Sequence, residues 1–412
     1  MARRGKESVL GTGSEQGNGK RDATVVPLRR TPGPRGLDAL IVGGGVIGLS
    51  CAWRIAQRGA RVRVLERERP GAGASGVAAG MLAPVGEATW GEEAFVRLAL
   101  ASAAAWPAFA TELAADAELP VGYSPLGALH VALDRDEAEA LRQRFDLMRA
   151  LELDAEWLRP SAARRLEPSL APSVAAAIEA PGEAAADPRA LIPALVAAVE
   201  ANGGELVGDA EVVESIVEGE RLAGVRTADG SEHRARVIVL ATGCWSGALG
   251  WLRGDARPPV RPVKGQILTL RGSPTDPVCI RIIATERVYI VPREDGRVAV
   301  GATVEEQGFD LRVTAGGVYE LLREAYRALP EIAELDLVET LCGMRPGTPD
   351  NAPLIGRGAL AGLVLATGHY RNGLLLAPVT AEAIAALSAD EEPHFDLEAF
   401  DPGRFAAAEA PR

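Results

Sequence analysis

The clearest pattern along the chain is a short apolar run, a glycine-rich turn and then apolar residues at helical spacing. Residues 39–42 are all apolar, as in a central parallel strand, and residues 43–48 hold the glycines. Residues 49–57 have a helical pattern that ends near Gly59, because glycine readily takes the left-handed conformation that closes a helix. Residues 61–66 read as a second strand. The pattern therefore predicts a strand–helix–strand unit.

Further elements follow along the chain. Helices are predicted over 92–115, 134–150 and 188–201, the last with Asp187 as its cap and Pro188 at its first position. Alternation or apolar runs predict strands over 237–240, 266–270, 288–291, 298–300 and 363–366, and a helix over 374–387. Because dinucleotide-type segments lie at the start, middle and end, we expect an α/β fold with a Rossmann-like domain of discontinuous segments (38–115, 180–262 and 349–397). The intervening segments (116–179 and 263–348) are expected to form a second domain with a mainly antiparallel sheet.

Length and composition agree with two domains and exclude several classes. A chain of 412 residues exceeds the size of a single hydrophobic core. Its 44 basic and 56 acidic side chains give a net charge of −12, which disfavours general nucleic-acid binding. No run approaches the ~18–20 apolar residues of a membrane span, and the N-terminus lacks a signal-peptide pattern. The four cysteines form no CxxC pair, so a cytoplasmic protein with reduced thiols is expected and a zinc ribbon is excluded.

Residues 1–36 differ from the rest of the chain. They are rich in Gly, Ser, Arg and Pro and carry a positive charge. This composition predicts a disordered tail, or a start codon placed too early. A nucleic-acid or membrane-tethering arm is the alternative, but no aromatic or amphipathic pattern supports it.

The turn after the first strand contains Gly43-x-Gly45-x-x-Gly48. In a dinucleotide site the first glycine permits the tight turn, the second admits the pyrophosphate, and the third allows close helix–strand packing. Glu66 ends the next strand 23 positions after Gly43, where a carboxylate holds ribose hydroxyls. The same carboxylate would repel a 2′-phosphate, so NADP is disfavoured and NAD or FAD is expected.

Two further segments favour FAD. Residues 73–81 consist mostly of small side chains, which let the backbone approach a flat ring or a phosphate. The alternative for this segment is a flexible loop. The strand over 237–240 ends in Ala241, Thr242 and Gly243, a turn that lets the chain pass close to a cofactor.

Six motifs carry a resemblance to a known family. They lie at 79–82, 262–266, 289–293, 300–303, 345–348 and 368–378. Through them, residues 38 to 387 resemble the glycine oxidase and D-amino acid oxidase family of FAD-dependent amine oxidases. The resemblance implies an FAD-binding domain, a substrate domain and oxidative deamination of glycine or other small amines. The products would be an imine or glyoxylate, ammonia and hydrogen peroxide, with oxygen as acceptor and a role in supplying thiazole synthesis for thiamine.

The resemblance also implies a site. Arg345 matches the arginine that binds the substrate carboxylate, Tyr289 matches a tyrosine that contacts the same group, and Arg371 lies at the mouth. No matched residue is a side-chain base, so hydride transfer from the neutral amine is expected. Non-covalent FAD would contact Gly43, Gly45, Val46, Ile47, Gly48, Glu66, Arg67, Ala74, Ser75, Ala79, Gly80, Met81, Val212, His369, Tyr370, Arg371, Asn372, Gly373, Leu374 and Leu375.

Departures from the family pattern leave alternatives open. Val304 replaces a methionine of the family, and this change bears on substrate preference. Ala74 and Ser75 replace two threonines, and this change bears on one hydroxyl contact to the cofactor. Cys342 lies near the position at which sarcosine oxidases bind flavin covalently, but a buried free thiol is expected here. A D-amino acid or sarcosine oxidase or dehydrogenase is the alternative enzyme. A flavin-binding protein without turnover is disfavoured by Arg345 and Tyr289, and an NAD-binding regulator by the small-residue segment. A homo-oligomer, a tetramer by resemblance, is expected.

Overall fold

The structure is a computed structural model that describes residues 36–409. The tail predicted over 1–36 lies outside these residues except for Gly36. The described α-helices are α1 (Val46–Gln57), α2 (Ala74–Val77), α3 (Glu93–Ala117), α4 (Arg135–Ala150), α5 (Pro160–Leu166), α6 (Pro188–Ala201), α7 (Ala315–Ala328) and α8 (Ala377–Ser388). The described strands are β1 (Leu37–Val42), β2 (Val62–Leu65), β3 (Met81–Leu82), β4 (Tyr123–Ser124), β5 (Ala128–Ala132), β6 (Glu156–Leu158), β7 (Ala176–Ala180), β8 (Ala184–Ala186), β9 (Glu205–Val207), β10 (Val212–Glu218), β11 (Arg221–Thr227), β12 (Glu232–Leu240), β13 (Arg261–Arg271), β14 (Ile282–Ala284), β15 (Tyr289–Pro292), β16 (Arg297–Gly301), β17 (Asp336–Gly347), β18 (Leu354–Arg357) and β19 (Leu363–Thr367).

The first sheet has a parallel core in the order β19-β12-β1-β2-β9, with β18 antiparallel at one edge. Strand β11 pairs antiparallel with the N-terminal residues of β12, and β10 pairs antiparallel with β11. Both faces are covered: Ile41 and Val239 pack in the helix-side core with α1, α6 and α8, and Leu40 and Leu240 pack in a separate core on the opposite face. Burial on both faces explains why these strands are continuous apolar runs.

The second sheet is mainly antiparallel, in the order β17-β13-β16-β15-β14-β5-β7-β6, with one parallel pair between β5 and β14. Its longest pairing joins β13 to β17, and α7 packs against its core. The short strands β3, β8 and β4 form a third sheet. All strands of the first sheet come from residues 37–65, 205–240 and 354–367, and those of the second from 128–180 and 261–347. The domain boundaries themselves stay a prediction.

Helix α3 agrees within two residues with the helix predicted over 92–115, but it is more apolar than the sequence reading expected. Its 25 residues, with a mean hydropathy of 1.3 over the best window, are long and apolar enough to cross a membrane. In the fold, this helix packs against α6 and α8, and Trp106, Phe109 and Leu113 are fully buried. The packed face accounts for the apolar residues of α3.

The last helix begins later than its pattern indicates. The sequence predicts a helix over 374–387, whereas α8 starts at Ala377, with Pro378 in its first turn. Residues 368–376 form a turn in which the Asn372 N–H donates to the His369 carbonyl and the Leu376 N–H donates to the Asn372 carbonyl. Since proline favours the first turn of a helix, the proline marks the start better than the apolar spacing does.

Candidate active site

The glycine-rich turn lies where the carboxyl ends of β1 and β12 meet. Gly43 has φ of 111°, and a Cβ atom there would collide with the Ala241 carbonyl at the end of β12. A Cβ atom on Gly48 would overlap the Gly43 carbonyl oxygen, so α1 packs directly onto the turn. The N-terminal residues of α1 line a cavity, and free N–H groups at a helix N-terminus favour a bound phosphate.

Glu66 lies at the carboxyl end of β2 and lines the same cavity. Its Oε2 accepts the Gly44 N–H at 2.7 Å, and its Oε1 accepts the Glu68 N–H at 2.9 Å. These bonds fix the carboxylate beside the glycine turn. A fixed carboxylate at this edge is suited to ribose hydroxyls.

Ser75 connects the small-residue segment to α1. Its Oγ accepts the Val46 N–H at 3.0 Å, in the first turn of the helix. The substitution of the family's threonine pair by Ala74 and Ser75 thus keeps a hydroxyl at this point. Gly80 has φ of 77°, and a Cβ atom there would overlap the Ala186 carbonyl oxygen, so only glycine fits.

One cavity of about 400 Å³, within the range of small-molecule sites, runs along this cradle to the second sheet. It brings together all three predicted substrate residues, Tyr289, Arg345 and Arg371. Among the predicted cofactor residues, it is lined by Gly43, Gly45, Val46, Ile47, Glu66, Arg67, Ala74, Ser75, Ala79, Gly80, Met81, Val212, His369, Tyr370, Arg371, Asn372, Gly373 and Leu374.

Two predicted cofactor residues do not line the cavity. Gly48 is buried in the contact between α1 and the turn, which is a packing role. Leu375 is fully buried, and its carbonyl accepts hydrogen bonds from Ser102 Oγ at 2.6 Å and Trp106 Nε1 at 3.0 Å, both on α3. Both residues support those that line the cavity, and their contact with a cofactor stays a prediction.

Arg345 lies on β17 of the second sheet and lines the cavity. Its Nη1 donates to the Thr303 carbonyl at 3.0 Å, and its guanidinium lies directly over Gly265, where a Cβ atom would come within 2.5 Å of it. Among the residues that the structure describes, no carboxylate pairs with Arg345. The guanidinium is thus held in place by the backbone and keeps donors for an anionic ligand.

Arg371 faces the same space but is already paired. Its Nε lies 3.5 Å from Glu87 Oε2, and this carboxylate is the main cause that raises the pKa of Arg371. Sequence reasoning missed Glu87, which belongs to no recognised motif. Because Glu87 balances Arg371, Arg345 is the cation left to bind a carboxylate.

Burial affects the two other titratable groups of the site. It raises the pKa of Tyr289 above its usual value of 10, although the nearby Arg345 and Arg371 oppose the shift. The Tyr289 hydroxyl therefore stays protonated near neutral pH and serves as a hydrogen-bond donor. Burial lowers the pKa of His369 to about 3, and its Nε2 lies 3.0 Å from Thr380 Oγ1 on α8. His369 is thus a neutral imidazole held in the fold.

An aromatic wall of the cavity was also missed. The Arg67 guanidinium lies over the Trp245 ring at 4.7 Å, and Phe309 stacks on the same ring at 6.3 Å. Trp245 comes two residues after Gly243, in the turn that the sequence analysis had already placed near the cofactor. This proximity was the one sequence signal that could have identified Trp245 as a cavity residue.

Cys342 is half-buried and lies outside the cavity lining, whereas its neighbours Gly343 and Met344 line it.

Comparisons with known proteins agree with this geometry. A glycine oxidase from Geobacillus kaustophilus is 35% identical over 365 residues, covering 88% of this chain and 96% of that protein. The bifunctional protein ThiO/ThiG of Trichormus variabilis is 37% identical over 89% of this chain, which spans only 55% of that longer protein. The crystal structure of the Geobacillus glycine oxidase superposes with a TM-score of 0.84 at 34% identity, over 89% of this chain and 98% of that one. These similarities confirm the predicted fold class and FAD dependence. Because the family model described as FAD dependent oxidoreductase (DAO) matches residues 38–387, the chain belongs to the DAO family of FAD-dependent oxidoreductases.

Proposed function

We propose that this enzyme oxidises glycine to its imine, which water converts to glyoxylate and ammonia, while oxygen is reduced to hydrogen peroxide. The observation that carries this proposal is the guanidinium of Arg345, which lies beside Tyr289 in the cavity that the nucleotide turn also lines and has no carboxylate partner among residues 36–409. The similarity to glycine oxidases over most of the chain supports glycine as the substrate.

The described residues fit FAD. The α1 N-terminus supplies N–H donors next to the tight turn at Gly43, which only glycine can form against the Ala241 carbonyl, and Glu66 is placed for the ribose. Val212 also lines the cavity, two residues after Ala210, whose N–H donates to the Glu66 carbonyl at 2.8 Å. When bound, FAD accepts the two electrons of the amine and passes them to oxygen.

The side chains of the second sheet would bind and orient the amino acid. The planar fork of Arg345 takes both carboxylate oxygens, which a lysine cannot match in geometry. The Tyr289 hydroxyl donates a further hydrogen bond to the same group. Fixing the carboxylate at these residues orients the Cα–H bond, and such orientation supplies much of an enzyme's rate.

Three titratable side chains of the cavity, Tyr289, His369 and Glu87, are the candidates for removing the ammonium proton, and none of them is suited to it. Burial keeps Tyr289 protonated and gives His369 a pKa of about 3, and Glu87 is engaged by Arg371. The proposal therefore requires the substrate amine to lose its proton to water before oxidation. Catalysis depends on binding and orientation rather than on a general base.

We further propose that FAD is bound non-covalently and that the protein is a cytoplasmic homo-oligomer that supplies thiazole synthesis. Non-covalent FAD is supported by the position of Cys342 outside the cavity lining. A cytoplasmic location is supported by the four cysteines, all of which are described and unpaired. Supply of thiazole synthesis is supported by similarity to ThiO/ThiG proteins, of which this chain spans about half. A homo-oligomer is proposed on the family resemblance alone.

The test is a product assay on the purified yellow protein. With glycine in air, glyoxylate, ammonia and hydrogen peroxide should form in equal amounts, and acid precipitation should release the FAD into the supernatant. Sarcosine and D-alanine, assayed in parallel, separate glycine oxidation from the alternative activities. Turnover with a dye acceptor but no peroxide in air would instead identify a dehydrogenase, and faster oxidation of D-alanine or sarcosine would overturn the substrate assignment.

A further inference from the structure

A fully buried carboxylate lies just outside the active-site cavity. Glu183, between β7 and β8, has no exposed surface, and its Oε1 accepts the Gly86 N–H at 2.6 Å. The Nε2 of His130 on β5 lies 3.3 Å from the same oxygen. The Oε2 of Glu183 has no hydrogen-bond partner among the described residues. Burying a carboxylate costs free energy, so simple packing does not explain this residue.

Residues 81–86, the segment that contacts Glu183, pack closely against it. A Cβ atom on Gly86 would overlap the His130 ring and come within 2.8 Å of Glu183 Oε1. The preceding Val85 is buried in a separate small core. Earlier in the same segment, Met81 and Leu82 pair with β8, which begins directly after Glu183. Residues 81–86 are therefore fixed at both ends by the chain around Glu183.

The next residue along this segment reaches the active site. Glu87 lines the cavity and pairs with Arg371 across a distance of 3.5 Å, while neither Glu183 nor His130 is among the lining residues. Since Gly86 and Glu87 are adjacent in the chain, the hydrogen bond from Gly86 to Glu183 fixes the backbone from which the Glu87 side chain extends.

We propose that Glu183, together with His130, is a positioning pair that holds Glu87 against Arg371 and thereby sets which anions the site accepts. Held there, Glu87 neutralises Arg371 and leaves Arg345 to bind a single carboxylate. Without this support, Arg371 becomes a second available cation. The site then favours a dicarboxylate over a monocarboxylate and disfavours the ammonium group of glycine. Glycine as the relevant amine rests on the proposed function; the anion preference does not.

The experiment measures dissociation constants of malonate and acetate for the FAD-loaded enzyme, from the change each anion causes in the visible spectrum. Glu183→Ala should raise the preference for malonate over acetate by about tenfold, the effect of one freed charge-assisted contact. Glu87→Gln should raise it similarly. The double variant should match Glu87→Gln, because Glu183 acts only through Glu87.

Glu167→Ala provides the matched control. Glu167 is also buried and accepts the Arg281 N–H at 2.8 Å, but it lies outside the cavity lining. Its loss should reduce stability without changing the anion preference. Glu183→Gln, which keeps an oxygen for Gly86, should retain the wild-type preference, and Gly86→Ala should reproduce the change if Glu183→Ala does not fold.

The proposal is overturned if Glu183→Ala and Gly86→Ala keep the wild-type anion preference, or if the effects of Glu183→Ala and Glu87→Gln multiply in the double variant. A shift of equal size in Glu167→Ala would also overturn it, since a general loss of order would then be the cause. Failure of glycine turnover with an intact anion shift would refute the proposed function and leave the positioning role standing.

Discussion

Arg345 is the residue on which the proposed recognition of the substrate carboxylate depends. Its guanidinium is oriented by the Thr303 carbonyl and by contact with Gly265, and neither of these groups neutralises it. Arg345→Ala should lower kcat/KM for glycine by roughly 100-fold, because charge-assisted contacts to a carboxylate are worth about 3 kcal/mol. Flavin content should not change. Steady-state kinetics with absorbance of the bound FAD checks both points.

Arg357→Ala is the control for Arg345. Arg357 is an exposed arginine on β18 that pairs with Asp390 at 3.1 Å and does not line the cavity. Its variant should keep wild-type kinetics. Near-normal glycine oxidation by Arg345→Ala would remove this residue from the binding site.

Tyr289 gives a prediction about pH. Burial raises the pKa of its hydroxyl, so the group is protonated at neutral pH and stays so well into the alkaline range. The rate of flavin reduction by glycine should rise from neutral to alkaline pH as the substrate amine loses its proton. Tyr289→Phe should keep this rise, with kcat/KM lower by about tenfold for the lost hydrogen bond. Stopped-flow measurements under anaerobic conditions decide it: disappearance of the rise in the Phe variant would make Tyr289 the base.

Most of the residues that the sequence motifs predicted for the site line one cavity. Arg345, Tyr289 and Arg371 come to one cavity although they belong to distant segments. Glu87 and Trp245 were missed, because their roles arise from tertiary contacts with Arg371 and Arg67. Such contacts leave no local pattern in the chain.

At the scale of elements, the contact between α1 and its glycine turn should determine FAD binding. Gly48→Ala places a methyl group against the Gly43 carbonyl oxygen, and such overpacking costs about 1–3 kcal/mol. We expect the α1 N-terminus to shift and the purified variant to contain less FAD. Gly316→Ala, in the first turn of α7 with open space around the new methyl group, should contain as much FAD as the wild type. Full FAD occupancy in Gly48→Ala would show that this contact is dispensable.

The junction between β19 and α8 should make stability depend on pH. The pKa of His369 is about 3 in the fold, against about 6.5 in an unfolded chain. A lowered pKa contributes stability that is fully present above pH 6.5 and is lost as the pH falls from there towards 3. At pH 5 the loss is about 2 kcal/mol. Urea unfolding at pH 7.5 and pH 5 should therefore show a smaller acid loss in His369→Gln than in the wild type.

His394 is the control for this effect, since its side chain is exposed. His394→Gln should lose as much stability at pH 5 as the wild type does. An equal acid loss in His369→Gln and the wild type would mean that His369 does not carry the effect.

Element positions could be predicted wherever a long apolar run or a helical period was present, as for β1, α1, α6 and β19. The short strands β3, β4 and β8 could not, because two or three residues are too few to show a period. Pro378, rather than apolar spacing, marks the true start of α8. Boundaries thus follow caps and prolines, which the spacing of apolar residues does not encode.

At the scale of the whole molecule, the active site exists because two sheets built from interleaved segments meet at one cavity. The parallel sheet supplies the nucleotide cradle at its carboxyl edge, and the antiparallel sheet supplies Tyr289 and Arg345. The sequence predicted this division from the order of its segments. It could not predict how the sheets face each other, since their mutual packing depends on side chains that are far apart in the chain.

The central claim is that glycine, held by its carboxylate at Arg345, reduces the FAD of this enzyme. The most direct measurement is anaerobic titration of the purified holoenzyme with glycine, followed by its visible absorbance. The flavin band should bleach with one equivalent of glycine per FAD, and should bleach far more slowly in Arg345→Ala. A flavin band that stays unchanged with glycine, or that bleaches equally fast in both proteins, would contradict the account.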